Sequence, residues 1–463
     1  MNFIPLILVI TLSFLGSFCG EGPPQQGVIK LRPDLKHQVI TGWEATAQAG
    51  EHVSPAFEKY NDELFDRAVN ELGITRLRLE LFAGVENPTD YYTLSKQGKV
   101  SKEEYRDKQY IIVNDNDDPN SIAEEGFQFA HFDLTVEKVV IPLKKRLQAK
   151  GSDLYINLNY VAFGSQKGKF RYLDNPQEYA EFILAAFLHM DRKFGFVPDA
   201  VQVILEPDNK VGWTGDHIAR AIELTSDKLK AAGFEPGFIA PNTTNAENAP
   251  KYIDEIARSK KAMSAITEFG YHRYCCAKPK VLRDIASSGE AHGKTTSMLE
   301  YIGADYTMLH DDLKLARVSA WQQYTIAFPI ERDNGAQYYL VDDTNPHSPV
   351  LKMGERTRFL RLYFLHARPG AQVIGAETSN AAFDPIAFAN EDGSTSIVIK
   401  ADAPGTIAIK NPGTGEWSYS FATHRHGDGN GKAKRNASGD LEVTIPGSGV
   451  VAVYNQSAKG VQQ

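Results

Sequence analysis

A repeated pairing of a strand with a helix is the feature that most constrains the fold of this chain. The segment ITRLRLEL alternates apolar and polar residues, as a strand with one apolar face does. It follows an amphipathic helix that begins near Ser54 and ends at Gly73. Repetition of this unit produces a parallel sheet, and eight units predict a closed (β/α)8 barrel over residues 40–370. The eight predicted strands are ITGWEAT, ITRLRLEL, LYINLNY, VQVILEP, FIAPNTT, SAITEFGYHRY, KTTSMLEYIG and SAWQQYTIAF.

The pattern of the chain changes after about Ala371. Short alternating segments, such as SIVIKA and LEVTIP, are broken there by turn sequences such as EDGS and HGDGNG. This pattern predicts an antiparallel β-sandwich over residues 371–458. A length of 463 residues suits a large barrel with one accessory module of this kind. Residues 84–130 form a charged, tyrosine-rich insertion after the second predicted strand, where we expect a loop that shapes a substrate site.

The charge and the N-terminal segment restrict the partners and the location of the protein. Its net charge is −8, and no run of Lys or Arg lies on an aromatic-rich face, so nucleic acid is not an expected partner. The uncharged run from Phe3 to Phe18 is shorter than the roughly 20 residues of a membrane span and sits where an export signal does. Residues 1–20 are therefore predicted to be a signal segment, with no later membrane span, and we expect a secreted or periplasmic monomer. Cys19 raises the alternative of a lipid anchor at the cell surface, although Phe18 stands where such a signal has a small residue.

Neither the cysteines nor an acidic loop leads us to expect a metal or a cofactor. Cys275 and Cys276 are adjacent and cannot form a disulfide framework, so we expect two free thiols, with a bond between them as the alternative. The sequence NDNDDPNSIAEE, residues 114–125, spaces oxygen ligands like a calcium loop. Pro119 replaces the glycine that the turn of such a loop requires, so a solvated acidic loop is the expected structure.

Two carboxylates end predicted strands of the barrel. Glu206 follows the apolar run VQVIL, and Glu300 ends the run KTTSML. Active sites of such barrels lie at the carboxyl ends of the strands, so we expect Glu206 and Glu300 to face each other across the barrel mouth. Glycosidic cleavage uses a pair of this kind, one as an acid and the other as a nucleophile or base. The alternative for either residue alone is a loop position or a partner for an arginine.

Several short motifs resemble those of a known group of enzymes. Residues at the ends of the fourth, sixth, seventh and eighth predicted strands are similar to those of clan A retaining glycoside hydrolases. The closing segment RFLRLYFLHARPGAQVIGA, the small β-domain after it and the early ITGWEAT are most similar to glycoside hydrolase family 30. The strand-end residues are Glu206, Pro207, His272, Tyr274, Glu300, Trp321 and Gln322.

The resemblance implies a retaining hydrolase that cleaves a β-linked polysaccharide or glycoconjugate by double displacement, with carbohydrate as its partner. In this role Glu206 is the acid/base, whose surroundings are expected to raise its pKa, and Glu300 is the nucleophile. The resemblance also implies that strands within residues 21–39 join the β-sandwich. The clan usually has Asn before the acid/base, where it contacts the sugar 2-hydroxyl, but this chain has Leu205 there. Leu205 favours the alternative of a non-catalytic carbohydrate-binding protein on a decayed hydrolase scaffold.

Further residues are predicted to complete the site. Arg78 is expected to hydrogen-bond either Glu300 or Glu80, and Glu268 is an alternative nucleophile. Asn157 or Asn159 is a candidate to replace the missing donor to the 2-hydroxyl. Aromatic residues at strand ends are candidates to stack on a sugar ring, with core packing as the alternative for each. The predicted substrate-binding residues are Trp43, Arg78, Asn159, Tyr160, His272, Tyr274 and Trp321, and among the aromatic ones Trp321 is favoured as a sugar platform.

Overall fold

A computed structural model describes residues 23–163, 168–209, 212–330 and 332–455 of the chain. The predicted signal segment, with Cys19, lies outside the described residues. The described chain forms a closed parallel barrel with helices and a second, mostly antiparallel sheet that makes a β-sandwich. The fold class predicted from the sequence is confirmed.

The barrel contains eight parallel strands of the described chain, which neighbour one another in sequence order. The last of them pairs with both the first and the seventh, and this pairing closes the barrel. After an N-terminal strand β1 (Gln25–Val39) that belongs to the other sheet, the barrel strands are β2 (Gly42–Thr46), β3 (Arg76–Phe82), β4 (Tyr155–Val161), β5 (Ala200–Gln202), β6 (Gly237–Asn245), β7 (Ile266–Cys275), β8 (Thr295–Glu300) and β9 (Val318–Pro329).

Strand β3 shows how the sequence builds the barrel wall. Its three leucines are fully buried in the main core, which stabilises the fold by roughly 1.5–3 kcal/mol for each side chain. They alternate with Arg76, Arg78 and Glu80. The two arginines contact Glu268 and Glu300 across the barrel interior, whereas Glu80 accepts from Gln48, which follows the neighbouring strand β2. In the register with β4, Arg78 lies opposite Asn157 and Glu80 opposite Asn159, so the interior of the barrel carries polar side chains on neighbouring strands.

The helices of the described residues lie between the strands and around the barrel. Helix α1 is continued by a π-helical turn, Ala68–Leu72, and ends at Gly73, whose φ of 84° is in the left-handed region that favours glycine. The α-helices are α1 (Phe57–Arg67), α2 (Tyr91–Lys96), α3 (Lys102–Lys108), α4 (Ala130–Thr135), α5 (Ile141–Gln148), α6 (Pro176–Phe194), α7 (Gly215–Ala231), α8 (Ala249–Ile256), α9 (Lys260–Ala265), α10 (Pro279–His292), α11 (Tyr306–Asp311) and α12 (Thr357–His366).

Two strands that the sequence did not predict extend the barrel sheet. Strand β10 (Gln337–Asp342) pairs in parallel with β9, and β11 (Val350–Met353) pairs antiparallel with β10. The hydroxyl of Tyr338 in β10 donates to the carbonyl of Glu44, so this extension is anchored on the first barrel strand.

The second sheet is built mainly from the C-terminal part of the chain. Strand β1 lies inside it, because β1 pairs antiparallel with β12 and in parallel with β15. The apolar face of this sheet forms a core of its own, which includes Ile29, Phe383 and Trp417. The C-terminal strands are β12 (Gln372–Thr378), β13 (Phe383–Ala389), β14 (Thr395–Ala401), β15 (Gly405–Lys410), β16 (Trp417–Thr423), β17 (Gly427–Lys432), β18 (Lys434–Arg435), β19 (Leu441–Ile445) and β20 (Gly449–Asn455).

Helix α12 joins the barrel to the β-sandwich. On one side its Phe364 stacks on Trp43 of the barrel, with ring centroids 4.4 Å apart. On the other side its Arg358 forms an ion pair with Asp428 of the sandwich at 2.8 Å. Among the helices of the described residues, none has the length and apolar character required to cross a bilayer.

Candidate active site

Glu206 lies just beyond β5, at the carboxyl end of the fourth barrel strand. Its φ is 53°, a left-handed conformation that non-glycine residues seldom adopt and that is concentrated at functional sites. The main chain holds this conformation, because the Glu206 N–H donates to the carbonyl of Asn242 at 3.2 Å and the Glu206 carbonyl accepts from the N–H of Asn209 at 2.9 Å. The turn directs the carboxylate to the end of the barrel where active sites of this fold lie.

Two side chains contact the carboxylate of Glu206. Oε1 is 3.0 Å from Nδ1 of His272, and Nδ2 of Asn209 donates to Oε2 at 2.9 Å. Burial acts to raise the pKa of Glu206, but the contacts with His272 and Asn209 outweigh burial and leave that pKa below its ordinary value. The raised pKa expected from the sequence is therefore wrong for the free protein, since hydrogen-bond donors rather than apolar or anionic groups surround the carboxylate.

Glu300 ends β8, and donors reach both of its carboxylate oxygens. Nη2 of Arg78 donates to Oε2 at 2.6 Å, and the hydroxyl of Tyr274 donates to Oε1 at 2.7 Å. Burial and the adjacent Glu300 raise the pKa of Tyr274, which keeps its hydroxyl protonated as a donor. Arg78 also donates to Glu80 at 3.3 Å. It therefore contacts both of the carboxylates that were predicted as its alternative partners.

Glu206, His272 and Glu300 meet at the mouth of the barrel. One oxygen or nitrogen atom of each lies within 4.8 Å of the corresponding atoms of the other two. Both carboxylic residues are buried, with 5% of Glu206 and 7% of Glu300 exposed to solvent. Two carboxylates with different partners, one fixed by Arg78 and the other by His272, therefore lie close enough to act on one bond of a bound molecule.

A separate ion network occupies the interior below the mouth. Nη1 and Nη2 of Arg76 each contact a different oxygen of Glu268 at 2.9 Å, and Nε of Arg76 contacts Glu44 at 2.8 Å. Asn157 donates to the same Glu44 at 3.2 Å. Glu268, the alternative nucleophile of the sequence analysis, is thus occupied by Arg76 and does not join the group at the mouth.

The two tryptophans predicted to bind substrate lie on the outer face of the barrel. Trp43 and Trp321 are neighbours on β2 and β9, and both side chains are fully buried. The indole N–H of Trp43 donates to the carbonyl of Ala367, and that of Trp321 donates to Asp312, each at 2.9 Å. Both rings contact Phe364 of α12. The predictions that Trp43 and Trp321 are sugar platforms are corrected, because each indole is committed to the packing of the barrel against this helix.

Tyr160 is also turned away from the mouth. It alternates along β4 with the inward-facing asparagines, and its ring contacts Tyr172, Tyr179 and Trp213 in a cluster behind the strand. Its prediction as a substrate-binding residue is therefore corrected as well. Tyr274 is the predicted aromatic residue that lies beside Glu300 with an exposed surface, which amounts to 37%.

The asparagines of β4 differ in their partners. The amide of Asn157 donates to Glu44 and, at 3.1 Å, to Gln202. Asn159 is fully buried in the barrel interior, and no hydrogen-bond partner among the described residues reaches its amide. Leu205 is buried beside Glu206, and its N–H donates to the carbonyl of Tyr160 at 2.9 Å. The position that the clan fills with a donor is therefore apolar here.

Several residues near the mouth were not singled out from the sequence. Asn209 could have been found as the amide that follows Glu206 by three residues. A cavity of about 180 Å³ lies beside Glu80 and is lined by residues that follow the first barrel strand. Their position directly after a strand end was the sequence signal that could have identified them. Burial raises the pKa of Glu51, one of these residues, to about 7. The polar side chains around the cavity are Thr46, Gln48, Glu51, His52, Glu80, His131 and Thr135.

The adjacent cysteines follow Tyr274 at the end of β7. Cys275 and Cys276 are joined by a disulfide, so the expectation of two free thiols is wrong and the alternative is correct. The bond constrains the chain directly after the tyrosine that donates to Glu300.

Comparison by sequence finds no matching family model and no matching curated protein. Comparison of structures does find neighbours. The catalytic domain of GH30 xylanase C from Talaromyces cellulolyticus superposes with a TM-score of 0.67 over 93% of this chain and 100% of its own, at 14% sequence identity. The structural neighbours of this chain include several family 30 glycoside hydrolases. The resemblance inferred from short motifs is thereby confirmed at the level of the fold.

Two further neighbours have the same fold. A GH30 endoxylanase from Clostridium papyrosolvens C71 has a TM-score of 0.64 at 16% identity and covers 93% of this chain and 100% of its own. An endo-beta1,6-glucanase has a TM-score of 0.63 at 12% identity, over 92% of this chain and 94% of its own. At these identities the likeness is one of fold, and it extends over the barrel and the β-sandwich together.

Proposed function

We propose that this protein is a retaining hydrolase of β-linked carbohydrate that acts by double displacement. The observation that carries the proposal is the approach of the two mouth carboxylates, with an oxygen of Glu206 within 4.8 Å of an oxygen of Glu300. Retaining glycosidases hold their two carboxyl groups about 5–5.5 Å apart, whereas inverting enzymes leave about 6.5–9.5 Å for a water molecule. An approach of two of their oxygens to within 4.8 Å leaves little room for that water between them, and so supports retention.

Glu300 has the surroundings of a nucleophile. Arg78 and Tyr274 donate to its two oxygens, which favours the ionised form and fixes the orientation of the carboxylate. In the first step a Glu300 oxygen forms a bond to the anomeric carbon while the bond from that carbon to the leaving oxygen breaks. The leaving oxygen takes the proton of Glu206, and a covalent glycosyl-enzyme results.

Glu206 would act in both steps. As an acid it supplies the proton of the first step, and as a carboxylate it removes a proton from the water that then displaces Glu300 from the anomeric carbon. Its lowered pKa means that the acid form is populated only in acidic solution. The proposal therefore includes an acidic optimum for substrates whose leaving group needs protonation.

A carbohydrate-binding protein without turnover is the second candidate. Leu205 supports it, because an apolar side chain stands where the clan places the donor to the sugar 2-hydroxyl, and such a contact strengthens in the transition state. The buried amide of Asn159, which has no partner among the described residues, is the candidate replacement within the enzyme proposal. The two functions differ in whether substrate is turned over.

The substrate class and the location are part of the proposal. Some neighbours in fold are named as xylanases and one as an endo-beta1,6-glucanase, which makes xylan and β-1,6-glucan the first polymers to test. The apolar run before Cys19 supports export to the periplasm or the medium, with attachment through Cys19 as the alternative. Carbohydrate is the proposed partner, and we propose a monomer.

A hydrolysis screen tests the function. Wild-type protein and Glu300→Gln are incubated with xylan, β-1,6-glucan, galactan and aryl β-glycosides, and the anomer released first is followed by proton NMR. Activity that the variant loses, with the β-anomer appearing first, supports the proposal. First release of the α-anomer contradicts retention. Binding of a glycan without turnover by either protein supports the second candidate.

A second variant tests the role of Glu206. In kcat/KM, which reports the first step and not the base role of Glu206 in the second, Glu206→Gln is expected to slow natural glycans much more than aryl glycosides, because a good leaving group does not need the acid. Glu442→Gln, a change on the exposed surface of the β-sandwich, is the control and is expected to match wild type on both substrates. An equal loss of kcat/KM on both substrate types would contradict the acid role of Glu206.

A further inference from the structure

A second group of carboxylates lies away from the mouth, between the insertion after β3 and helix α6. Asp115 belongs to the insertion, and Glu178 and Glu181 are three residues apart on α6, a spacing that puts them on the same side of the helix. One oxygen of each of the three carboxylates lies within 4.8 Å of the others. Two separate parts of the chain thus bring like charges together.

The burial of Glu181 makes the ionised form of this carboxylate unfavourable. Only 1% of Glu181 is exposed, and no donor among the described residues reaches either of its carboxylate oxygens. One oxygen of Glu178 is buried in the same way. Burial and a hydrogen bond shared with the adjacent Glu178 carboxyl raise the pKa of Glu181 to about 8. Buried carboxylates are normally paired with a cation or with N–H or O–H donors, and among the described residues no cationic side chain and no such donor contacts the oxygens of Glu181.

The charged groups around the cluster do not neutralise it. Lys228 acts on Glu178 and Glu181 from a distance, but its ammonium group donates to the carbonyl of Pro119 and to the side chain of Asn120. Glu86 adds a further carboxyl beside Asp115, and it accepts from the main-chain N–H of Asp115 and from the hydroxyl of Tyr172. The surroundings are therefore net acidic.

Asn114 lies beside this group. Its side-chain amide donates to Glu178, and its own side-chain oxygen is buried without a hydrogen-bond partner among the described residues. Rotation of the amide would turn that oxygen toward the carboxylates, and the resulting all-oxygen donor set suits a hard cation and not a soft metal. Carboxylate and amide oxygens drawn from a loop and a helix suit Ca²⁺, which accepts six to eight oxygens in flexible geometry, better than Mg²⁺, which requires a near-ideal octahedron.

We propose that Asp115, Glu178 and Glu181, with the side-chain oxygen of Asn114, bind a calcium ion that fastens the insertion to helix α6. The ion would supply the positive charge that the buried oxygens of Glu181 lack. The proposed site is not the calcium loop that the spacing of residues 114–125 resembles. In such a loop the twelfth residue would be a ligand, but here that residue, Glu125, is exposed, and both glutamates of the group come from helix α6.

Calcium titration of the full-length protein, stripped of metal with a chelator, tests the site. Calorimetry up to about 10 mM CaCl₂ spans affinities down to those of weak extracellular calcium modules. One binding site and a Ca²⁺-dependent rise in Tm are expected for wild type. Glu181→Gln, which keeps the shape of the side chain, is expected to weaken Ca²⁺ binding at least about tenfold, because affinity follows the number of charged ligands. Glu178→Gln gives the same test if Glu181→Gln fails to fold.

Asp117→Asn is the matched control, since Asp117 is an exposed carboxylate of the same loop outside the cluster. It is expected to bind Ca²⁺ as tightly as wild type. Absence of both heat and a Tm shift in wild type overturns the proposal, as does unchanged affinity in Glu181→Gln. A different result would assign a shared proton to Glu178 and Glu181 instead of a cation. In that case wild type shows no response to calcium, and Glu181→Gln without calcium has a higher Tm than wild type. Because binding and Tm are measured without substrate, the result does not depend on the proposed glycosidase activity.

Discussion

His272 contacts the carboxylate of Glu206, and its replacement by Phe gives a quantitative test of the proposed mechanism. The His272 ring is fully buried, and its Nδ1 lies 3.0 Å from Oε1 of Glu206. A hydrogen bond to a charged group contributes about 1.5–3 kcal/mol, and 1.36 kcal/mol corresponds to one pKa unit. Loss of this contact removes a group that lowers the pKa of Glu206, so that pKa rises and the acid form persists to higher pH. The expected movement is about one to two pH units upward.

The assay is the pH dependence of kcat/KM, which reports the pKa values of the free enzyme. It requires a substrate with a poor leaving group, taken from the hydrolysis screen, because only such a substrate depends on the proton of Glu206. The alkaline limb of the profile is expected to move upward in His272→Phe. His272→Gln retains a neutral donor and is expected to move it less. An aryl glycoside with a good leaving group serves as the internal control, since its profile should not respond to the acid.

Two results would refute this reasoning. An alkaline limb that stays in place in His272→Phe would mean that His272 does not determine the protonation of Glu206. A limb that moves to lower pH would mean that His272 disfavours the carboxylate, contrary to the direction in which it acts in the structure. A change in the maximum rate alone, with the limb unmoved, would assign His272 a positioning role.

Two other perturbations test the mouth and the interior. Tyr274→Phe removes the 2.7 Å hydrogen bond to Glu300. A hydrogen bond to a charged group contributes about 1.5–3 kcal/mol, so kcat should fall roughly 10- to 150-fold. Steady-state kinetics that match wild type would contradict this. Arg76→Met leaves the buried Glu44 and Glu268 without their cation and should lower the free energy of unfolding by about 3–5 kcal/mol in urea. Acidic solution should reduce this loss, because protonation removes the uncompensated charges; a loss that is constant with pH would contradict the ionic explanation.

The barrel was predictable because its signals are local. Each predicted strand carries its apolar residues at a spacing of two or in one buried run, and β3 shows the spacing in a form that needs no tertiary information. Strands β10 and β11 were missed because they carry no such local signal. They do not follow a helix, so they do not repeat the strand–helix unit, and QYYLVD becomes a strand through its pairing with β9.

The predictions for the tryptophans failed because their side chains lie on the outer face of the strands. Trp43 precedes Glu44, whose carboxylate lies inside the barrel with Arg76, so the indole must point outward to the helices. Trp321 precedes Gln322, whose amide donates to Thr46 at 3.0 Å, and is turned outward in the same way. Sequence position near a strand end indicated that these residues were close to the mouth, but the alternation of side chains along a strand put their rings on the other face.

The protonation of Glu206 could not be read from its neighbours in the chain. His272 lies on β7, and the backbone that presents Glu206 depends on the carbonyl of Asn242 in β6. Sequence reasoning supplied the catalytic requirement for a raised pKa, whereas the folded chain supplies donors that lower it. Contacts between distant strands, and not the residue type, set the charge of this carboxyl group.

Arg76 and Arg78 lie on the same strand but hold different carboxylates. They are two residues apart on β3, both are buried, and each contacts two carboxylates. Every nitrogen of the Arg76 guanidinium has a hydrogen-bond partner, whereas Nε of Arg78 has none among the described residues. A guanidinium whose three nitrogens all have partners holds those partners in place and suits a structural role. Arg78, which holds Glu300 at 2.6 Å and a second carboxylate at 3.3 Å, can keep one contact while the charge on the other changes. If Glu300 forms the covalent bond of the proposed mechanism, the half-buried carboxylate of Glu80 remains in contact with Arg78. This buried cation therefore keeps a partner while Glu300 loses and regains its charge.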